Sequence, residues 1–230
     1  MKIKNLINTI IIVCILTAST FANAASYADV PTEHWAYSVI NDAAEAGIMY
    51  GRDDGTFGLG DAVKRCEFAA MLVRLMKWEK SSSDIPLFSD LQSGEWYVAD
   101  INTLAEHNVF NEKEFRPNDN ITRREMAVML VKALGYSELA QSETDSVFND
   151  VSDDEGYITV AHTLGIINGK SDTVFEPEGL ALREEAAAMM MRMFNKYNST
   201  LNEIHGFYAI SSWGQKEIAA QMDSVSFGWS

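Results

Sequence analysis

The chain has 230 residues, of which 47% are hydrophobic and 22% are charged, and its formal net charge is −15. This composition is that of a globular protein with one or two domains. The acidic balance argues against a nucleic-acid partner, because phosphates require a basic surface.

Residues 1–24 have the pattern of a secretory signal peptide. Lys2 and Lys4 precede an apolar run over residues 6–16, and Ala-Asn-Ala at 22–24 is a small-x-small cleavage site. The apolar run is short for a membrane span, so we expect no membrane attachment after cleavage. Cleavage removes two lysines and no acid, which brings the net charge to −17, and it leaves one cysteine, which cannot form an internal disulfide.

A motif Arg-x-Glu opens an apolar, helix-period segment at three places. The arginines are Arg65, Arg123 and Arg183, which lie 58 and then 60 residues apart, and each follows a phenylalanine by eight residues. A period near 60, with the same residue types at the same offsets in each copy, indicates an internal repeat. We place the copies at residues 27–80, 86–137 and 146–197.

The first copy predicts two helices. One begins near Thr32, after Pro31, and ends at Gly47, where a left-handed residue lets the apolar Ile48 fold back on the last turn. After a glycine-rich turn, the second helix runs from Lys64 to Lys77.

The second copy repeats this plan with Asn108 in the place of Gly47, a swap that a left-handed position allows. Its Trp96 matches Trp35, since each lies six residues after the aspartate that opens its copy. A polar, acidic link at 138–145 follows.

The third copy is shorter. Asp150 and Gly165 are 15 residues apart, against 18 in the other copies, which predicts that its first helix has lost most of a turn. It has no tryptophan, and Tyr157 is the nearest counterpart. Its second helix is predicted over residues 183–195.

After residue 197 the pattern changes to strand, helix, strand, at residues 201–212, 214–222 and 224–229. Three copies too small to bury their own apolar faces should pack on one another. The predicted fold is therefore mainly α, followed by an incomplete β-α-β fragment at 201–230.

The Arg-x-Glu motif has two parts. Thr122 and Glu125 match a capping box, which gives the glutamate a structural role. The arginine is unfavourable in a first helical turn, by roughly 0.3–1 kcal/mol, so its presence in all three copies indicates another role. Two roles remain open: a binding site for anions, and a salt bridge to an acid of the next copy. The candidate acids are Asp29, Asp90 and Asp150.

Trp35 and Trp96 fall on the apolar side of their predicted helices, which favours the core, although a tryptophan at a groove edge could instead stack on a sugar. The histidines are scattered and have no metal-ligand spacing. We predict no catalytic residue, no cofactor and no metal.

These motifs together resemble the S-layer homology (SLH) repeat. The matching pieces are Phe/Tyr-x-Asp-Val, His34-Trp35-Ala36, Asp54-Gly55-Thr56-Phe57 and Ile121-Thr122-Arg123-x-Glu125. The resemblance implies a pseudo-threefold unit with a three-helix central bundle and helical prongs. It also implies non-covalent binding of a secondary cell-wall polysaccharide, typically pyruvylated, in grooves between repeats, by a protein secreted to the cell surface.

The family's motif arginine corresponds to Arg65, Arg123 and Arg183. Lys64 and Leu182 stand where the motif has threonine, and copy three lacks the tryptophan. We therefore expect unequal grooves, with those that use Arg65 and Arg123 closer to the family pattern.

The tail at residues 205–212 and 223–230 resembles the first two strands of a family 18 glycosidase barrel, and it contains none of that family's catalytic motif. Two alternatives to an anchoring module follow. The chain could be the anchor portion of a longer glycoside hydrolase that acts on wall or chitin-like glycans, or a self-assembling S-layer subunit.

Overall fold

The computed structural model describes residues 27–143, 146–202, 205–208 and 224–227. The predicted signal peptide and the predicted helix at 214–222 lie outside these residues.

Helices dominate the described residues, so the mainly α prediction is confirmed. The seven described helices are α1 (Tyr37–Glu45), α2 (Arg65–Met76), α3 (Val98–Glu106), α4 (Arg123–Ala133), α5 (Ser137–Ser142), α6 (Glu155–Thr163) and α7 (Arg183–Asn202). Two short strands, β1 (His205–Tyr208) and β2 (Ser224–Phe227), pair in parallel, with His205 opposite Ser224.

Each repeat supplies a first and a second helix, and the first helix packs on the preceding repeat. Helix α3 packs against α2, α6 against α4, and α1 against α7, which closes the cycle from repeat three back to repeat one. Helix α2 also packs against α4 and α7. The contacts therefore have a cyclic, pseudo-threefold order.

A ring of backbone hydrogen bonds joins the three repeats just before their second helices. The N–H of Val63 donates to the carbonyl of Ala181 (2.9 Å), that of Ala181 to Ile121 (3.1 Å), and that of Ile121 to Val63 (2.9 Å). All three residues are fully buried. Because buried backbone groups need partners, each repeat depends on the other two to satisfy them.

One apolar core runs through all three repeats. It contains the phenylalanine that precedes each motif arginine, at positions 57, 115 and 175, and each of these rings is buried. Burial of such a side chain contributes about 1.5–3 kcal/mol, so these rings are major stabilising contacts.

The predicted ends of the first helices are confirmed. Gly47, Asn108 and Gly165 have φ of 69°, 57° and 72°, which is the left-handed region. The apolar residue that follows each of them is buried. Its N–H donates back to the last turn, as in the bond of 2.9 Å from Ile48 to Ala43.

The predicted start of the first helix is wrong by about a turn. Helix α1 begins at Tyr37, because the chain from Thr32 to Ala36 forms turns instead. In these turns the N–H of Tyr37 donates to the carbonyl of His34.

The predicted shortening of the first helix of repeat three is also wrong. Helices α1, α3 and α6 each have nine residues. The missing residues come from the turn before the helix, since Asp29 precedes α1 by eight residues and Asp150 precedes α6 by five. The residue two positions before the helix is Trp35 in repeat one and Asp153 in repeat three.

The second helix of repeat three continues to Asn202, seven residues beyond its predicted end, so Leu201 and Asn202 are helical and do not belong to the predicted strand. Helix α5 lies in the link between repeats two and three. None of the helices in the described ranges is both long and apolar enough to cross a membrane.

Candidate functional site

The three motif arginines are buried between repeats. Arg65, Arg123 and Arg183 are 1%, 4% and 5% exposed. Each Nε–H donates to the carbonyl oxygen of a phenylalanine in the next repeat around the ring, and each guanidinium carbon lies 4.7–5.1 Å from the centroid of that ring. The donor–acceptor pairs are Arg65–Phe115 (2.6 Å), Arg123–Phe175 (2.9 Å) and Arg183–Phe57 (2.7 Å).

The glutamates of the motif make contacts in two directions. Within its own helix, each glutamate accepts a hydrogen bond from the backbone N–H of the N-cap residue, and these pairs are Lys64–Glu67 (2.9 Å), Thr122–Glu125 (3.0 Å) and Leu182–Glu185 (3.3 Å). Across the repeat boundary, each glutamate pairs with the Nη1 of the motif arginine in the repeat that precedes it around the ring. The ion pairs are Arg65–Glu125 (2.5 Å), Arg123–Glu185 (3.9 Å) and Arg183–Glu67 (3.3 Å).

The arginine and the glutamate of the motif therefore act together across a repeat boundary. A salt bridge to an acid of the next repeat was one of the two open roles for the arginine, and the partner is the motif glutamate. Burial lowers the pKa of all three guanidinium groups, and the facing glutamate acts in the opposite direction. The capping box predicted at Thr122 is confirmed, since its hydroxyl accepts the N–H of Glu125 at 3.1 Å.

The aspartates that were candidate partners of the arginines serve the turns of their own repeats. The carboxylate of Asp29 accepts the N–H groups of Phe57 (2.7 Å), Gly58 (2.7 Å) and Leu59 (2.9 Å). Burial raises the pKa of Asp29, but these backbone hydrogen bonds outweigh it and hold the pKa below its ordinary value. Asp90 and Asp150 bind the same turn in repeats two and three.

Trp35 and Trp96 do not belong to the core. They are 60% and 58% exposed, because each lies in the turn before its helix. The core prediction was wrong for this reason: it placed both residues within helices whose apolar side faces inward. Each tryptophan instead lines a groove that the other two repeats form.

Three grooves surround the ring, and we number each by the repeat whose second helix lines it. Groove 1 (about 190 Å³) is lined by Tyr50, Gly51, Arg52, Glu67, Ala70, Met71, Arg74, Trp96 and Arg183. Groove 2 (about 260 Å³) is lined by Val109, Phe110, Glu112, Arg116, Arg124, Glu125, Val128, Met129, Lys132 and Asp154. Groove 3 (about 140 Å³) is lined by Trp35, Arg123, Asn168, Gly169, Lys170, Glu185, Ala188, Met189 and Arg192.

Each of grooves 1 and 3 is lined by residues from all three repeats. In groove 3, repeat three provides the second helix, repeat two provides Arg123 and repeat one provides Trp35. In groove 1, repeat one provides the second helix, repeat three provides Arg183 and repeat two provides Trp96. A buried guanidinium beside an exposed indole can bind an anionic sugar, because the cation attracts the acid group and the ring covers an apolar sugar face.

The structure shows which of the grooves contain a tryptophan. The sequence favoured the grooves of Arg65 and Arg123, but the two grooves with a tryptophan are those of Arg123 and Arg183. The tryptophan of one repeat and the arginine of another line the same groove only because the three repeats form a closed ring. The spacing of residues within one repeat does not reveal this pairing.

One cation that lines each groove at a constant distance along the chain from the motif arginine was missed by the sequence analysis. It follows the motif arginine by nine residues in every repeat, at Arg74, Lys132 and Arg192. Arg74 and Arg192 donate to the carbonyls of Ile48 (3.3 Å) and Ile166 (3.4 Å). An alignment of the three copies with one another would have revealed this constant spacing.

Comparison with known families agrees with this architecture. The profile of the S-layer homology domain matches residues 26–69, 87–127 and 147–187, which together make up more than half of the chain. The chain belongs to the S-layer homology domain family. The three SLH matches contain the three motif arginines and both groove tryptophans.

Several curated proteins are similar to this SLH chain. The exoglucanase XynX of Acetivibrio thermocellus is 33% identical over 73% of this chain and 16% of its own length. The endoglucanase of Bacillus sp. (strain KSM-635) is 32% identical over 80% of this chain and 20% of its own length. The S-layer protein of Bacillus thuringiensis subsp. finitimus is 26% identical over 83% of this chain and 24% of its own length. This SLH chain therefore spans no more than about a quarter of the length of these relatives.

Membership in the SLH family associates this chain with the bacterial cell surface and cell wall, and wall polysaccharide is the general kind of partner for such modules. SLH repeats are anchoring modules. The relatives with similar sequences include both an S-layer protein and glycan-degrading enzymes.

Proposed function

We propose that this chain anchors a secreted protein to the bacterial cell wall by non-covalent binding of an anionic, pyruvylated secondary wall polysaccharide in the grooves between repeats. The observation that carries the proposal is the pairing, in grooves 1 and 3, of a buried arginine with an exposed tryptophan from a different repeat. The carboxylate of a pyruvyl ketal suits the planar guanidinium, and the sugar ring suits the indole.

The net charge of the chain restricts how such binding can occur. After cleavage of the predicted signal peptide the charge is −17, and such a protein repels an acidic polymer at long range. Attraction must therefore come from cations at short range, and each of grooves 1 and 3 is lined by three cationic side chains and one carboxylate, with Arg52 of groove 1 also paired with Asp61. Salt reduces the long-range repulsion, with a screening length of about 8 Å at physiological ionic strength.

Sedimentation with purified cell walls tests the proposal. We expect the chain to sediment with untreated walls and to stay in the supernatant with walls whose ketal-linked pyruvate has been removed by mild acid hydrolysis, because the carboxylate that the arginines bind is then absent. Walls taken through the same steps at neutral pH are the control. Equal sedimentation with hydrolysed and control walls would show that pyruvate is not recognised.

Removal of Arg65 and Arg123 is a poor test of binding. Each side chain is buried and donates to a carbonyl of another repeat, so its loss also destabilises the fold. Trp35 and Trp96 are exposed and are better positions for binding variants.

A second candidate is that the chain is the anchor portion of a longer glycoside hydrolase. The similarity to an exoglucanase and an endoglucanase supports it, as does the parallel pairing of β1 and β2 in the tail that resembles a family 18 barrel. Sequencing of the gene beyond codon 230 tests it, and an open frame with an acidic Asp-x-Asp-x-Glu segment is the expected finding.

The third candidate is a self-assembling S-layer subunit, which the similarity to S-layer proteins supports. Such a subunit would form ordered arrays in solution without any wall glycan.

A further inference from the structure

Groove 2 differs from grooves 1 and 3 in the placement of its arginine. Arg65 does not line groove 2, whereas Arg183 and Arg123 line grooves 1 and 3. The guanidinium carbon of Arg65 lies 5.2 Å from the ring of Phe110 and 5.1 Å from that of Phe115, and only 1% of the residue is exposed. The aromatic rings therefore enclose this cation.

Arg65 is enclosed because the turn between Asn108 and Phe115 is short. Asn108 precedes Phe115 by seven residues, while the corresponding distance in repeats one and three is ten. In the longer turns a backbone carbonyl binds the Nη2 of the arginine, as in Arg183 to Tyr50 (3.1 Å) and Arg123 to Asn168 (2.9 Å). Within the described residues, the Nη2 of Arg65 has no hydrogen-bond acceptor, and Phe110 packs over it instead.

Arg65 also has the closest carboxylate of the three motif arginines, although the Nη1 that approaches it makes no hydrogen bond within the described residues. Its Nη1 lies 2.5 Å from Glu125, against 3.3 Å for Arg183–Glu67 and 3.9 Å for Arg123–Glu185. A ligand carboxylate would have to displace this glutamate before it could reach the guanidinium.

The charges that line groove 2 cancel. The three cations Arg116, Arg124 and Lys132 face the three carboxylates Glu112, Glu125 and Asp154. Two of these cations are already held, since Arg116 pairs with Glu125 (2.6 Å) and Arg124 with Asp154 (3.2 Å). Grooves 1 and 3 are each lined by three cations and one carboxylate, and Arg52 of groove 1 also pairs with Asp61 (2.5 Å). Groove 1 therefore keeps an excess of one positive charge and groove 3 an excess of two, so these grooves attract an anion at short range more strongly than groove 2.

Groove 2 also lacks an exposed aromatic side chain at its border, since the ring of Phe110, which lines it, is only 6% exposed. Trp96 borders groove 1 and Trp35 borders groove 3, whereas Asp154 stands at the border of groove 2. The shorter turn before α6 leaves Asp153 and Asp154 where repeats one and two have a tryptophan. The carboxylate of Asp154 is paired with Arg124, and it gives the ring of a sugar no surface for stacking.

We propose that the chain binds two anionic sugars, one in groove 1 and one in groove 3, and that groove 2 is a structural joint which binds none. This inference rests on the proposed function, because it assigns the grooves in which that function takes place. Arg65 holds repeats one and two together, while Arg123 and Arg183 both hold repeats together and bind ligand.

Native mass spectrometry tests the proposal by counting bound ligands. The probe is the methyl glycoside of a hexosamine that has a 4,6-linked pyruvyl ketal, and the same glycoside without the ketal is the control. We expect at most two probe molecules on the wild-type chain, one on Trp35→Ala, one on Trp96→Ala and none on the double variant. The matched variant of groove 2, Lys132→Ala, should still bind two.

The outcomes separate this proposal from the proposed function. Three equivalents on the wild type, or one equivalent on the double tryptophan variant that disappears when Lys132→Ala is added, would overturn the assignment of grooves and leave the proposed function intact. No binding of the probe to the wild type would overturn both. Circular dichroism of the variants confirms that they are folded, which the exposure of the substituted tryptophans leads us to expect.

Discussion

At the scale of single residues, Arg123 and Arg183 make two kinds of contact that use different atoms of one side chain. The Nε of each arginine donates to a carbonyl of another repeat, and its Nη1 faces a glutamate at the groove. The sequence predicted that the arginine has a task beyond its own helix. It did not reveal the carbonyl partner, the burial or the pairing with a tryptophan, because all three depend on contacts between repeats.

Two neighbouring arginines allow a stability test. We expect Arg123→Ala to lower the free energy of unfolding by about 3–5 kcal/mol, because it leaves buried polar groups without a partner. Arg124→Ala is the matched control, since this side chain is 27% exposed in its ion pairs and should cost about 1 kcal/mol or less. Urea denaturation measures both, and equal losses would contradict the structural role of Arg123.

At the scale of elements, short-range signals were sufficient for the ends of the first helices and the starts of the second helices, and insufficient for the start of the first helix in repeat one. The left-handed residues at Gly47 and Asn108 and the capping box at Thr122 depend on neighbouring residues, and all three were predicted. The turn that holds Trp35 was read as helix, because its local pattern is compatible with either structure. Only the turn exposes the indole.

The acids that cap helices and bind turns predict a pH dependence. The pKa of Glu125 and Glu185 lies below the ordinary value of 4.5, because burial raises it but hydrogen bonds and nearby cations outweigh that effect. The pKa of Asp29 and Asp150 lies below 3.8, where backbone hydrogen bonds outweigh burial. A depressed pKa in the folded state stabilises the protein above the unfolded pKa, and this contribution is lost as the pH falls through the folded value.

We therefore expect the melting temperature to be steady from about pH 6 to pH 5 and to fall as the pH drops below about 4.5, in the range where these carboxylates gain protons. Calorimetry across this range measures it. A melting temperature that is unchanged down to pH 3 would contradict the proposed role of these carboxylates.

At the scale of the whole molecule, the closed ring is the feature that creates the grooves. Each repeat binds the next through a backbone hydrogen bond at Val63, Ile121 or Ala181, and the third repeat returns to the first. The period of the sequence predicted three copies and their mutual packing. It did not predict which groove receives a tryptophan, since that depends on the direction in which the ring closes.

The most direct test of this account is a titration with the pyruvylated glycoside followed by the indole N–H signals of the ¹⁵N-labelled chain. The account predicts that the signals of Trp35 and Trp96 shift and saturate, because both rings border grooves that contain a buried arginine. The signal of Trp78, which stacks on His107 at 3.8 Å and lines none of the three grooves, should not move. Unmoved signals of Trp35 and Trp96 at saturating glycoside would contradict the central claim that these grooves bind the anionic sugar.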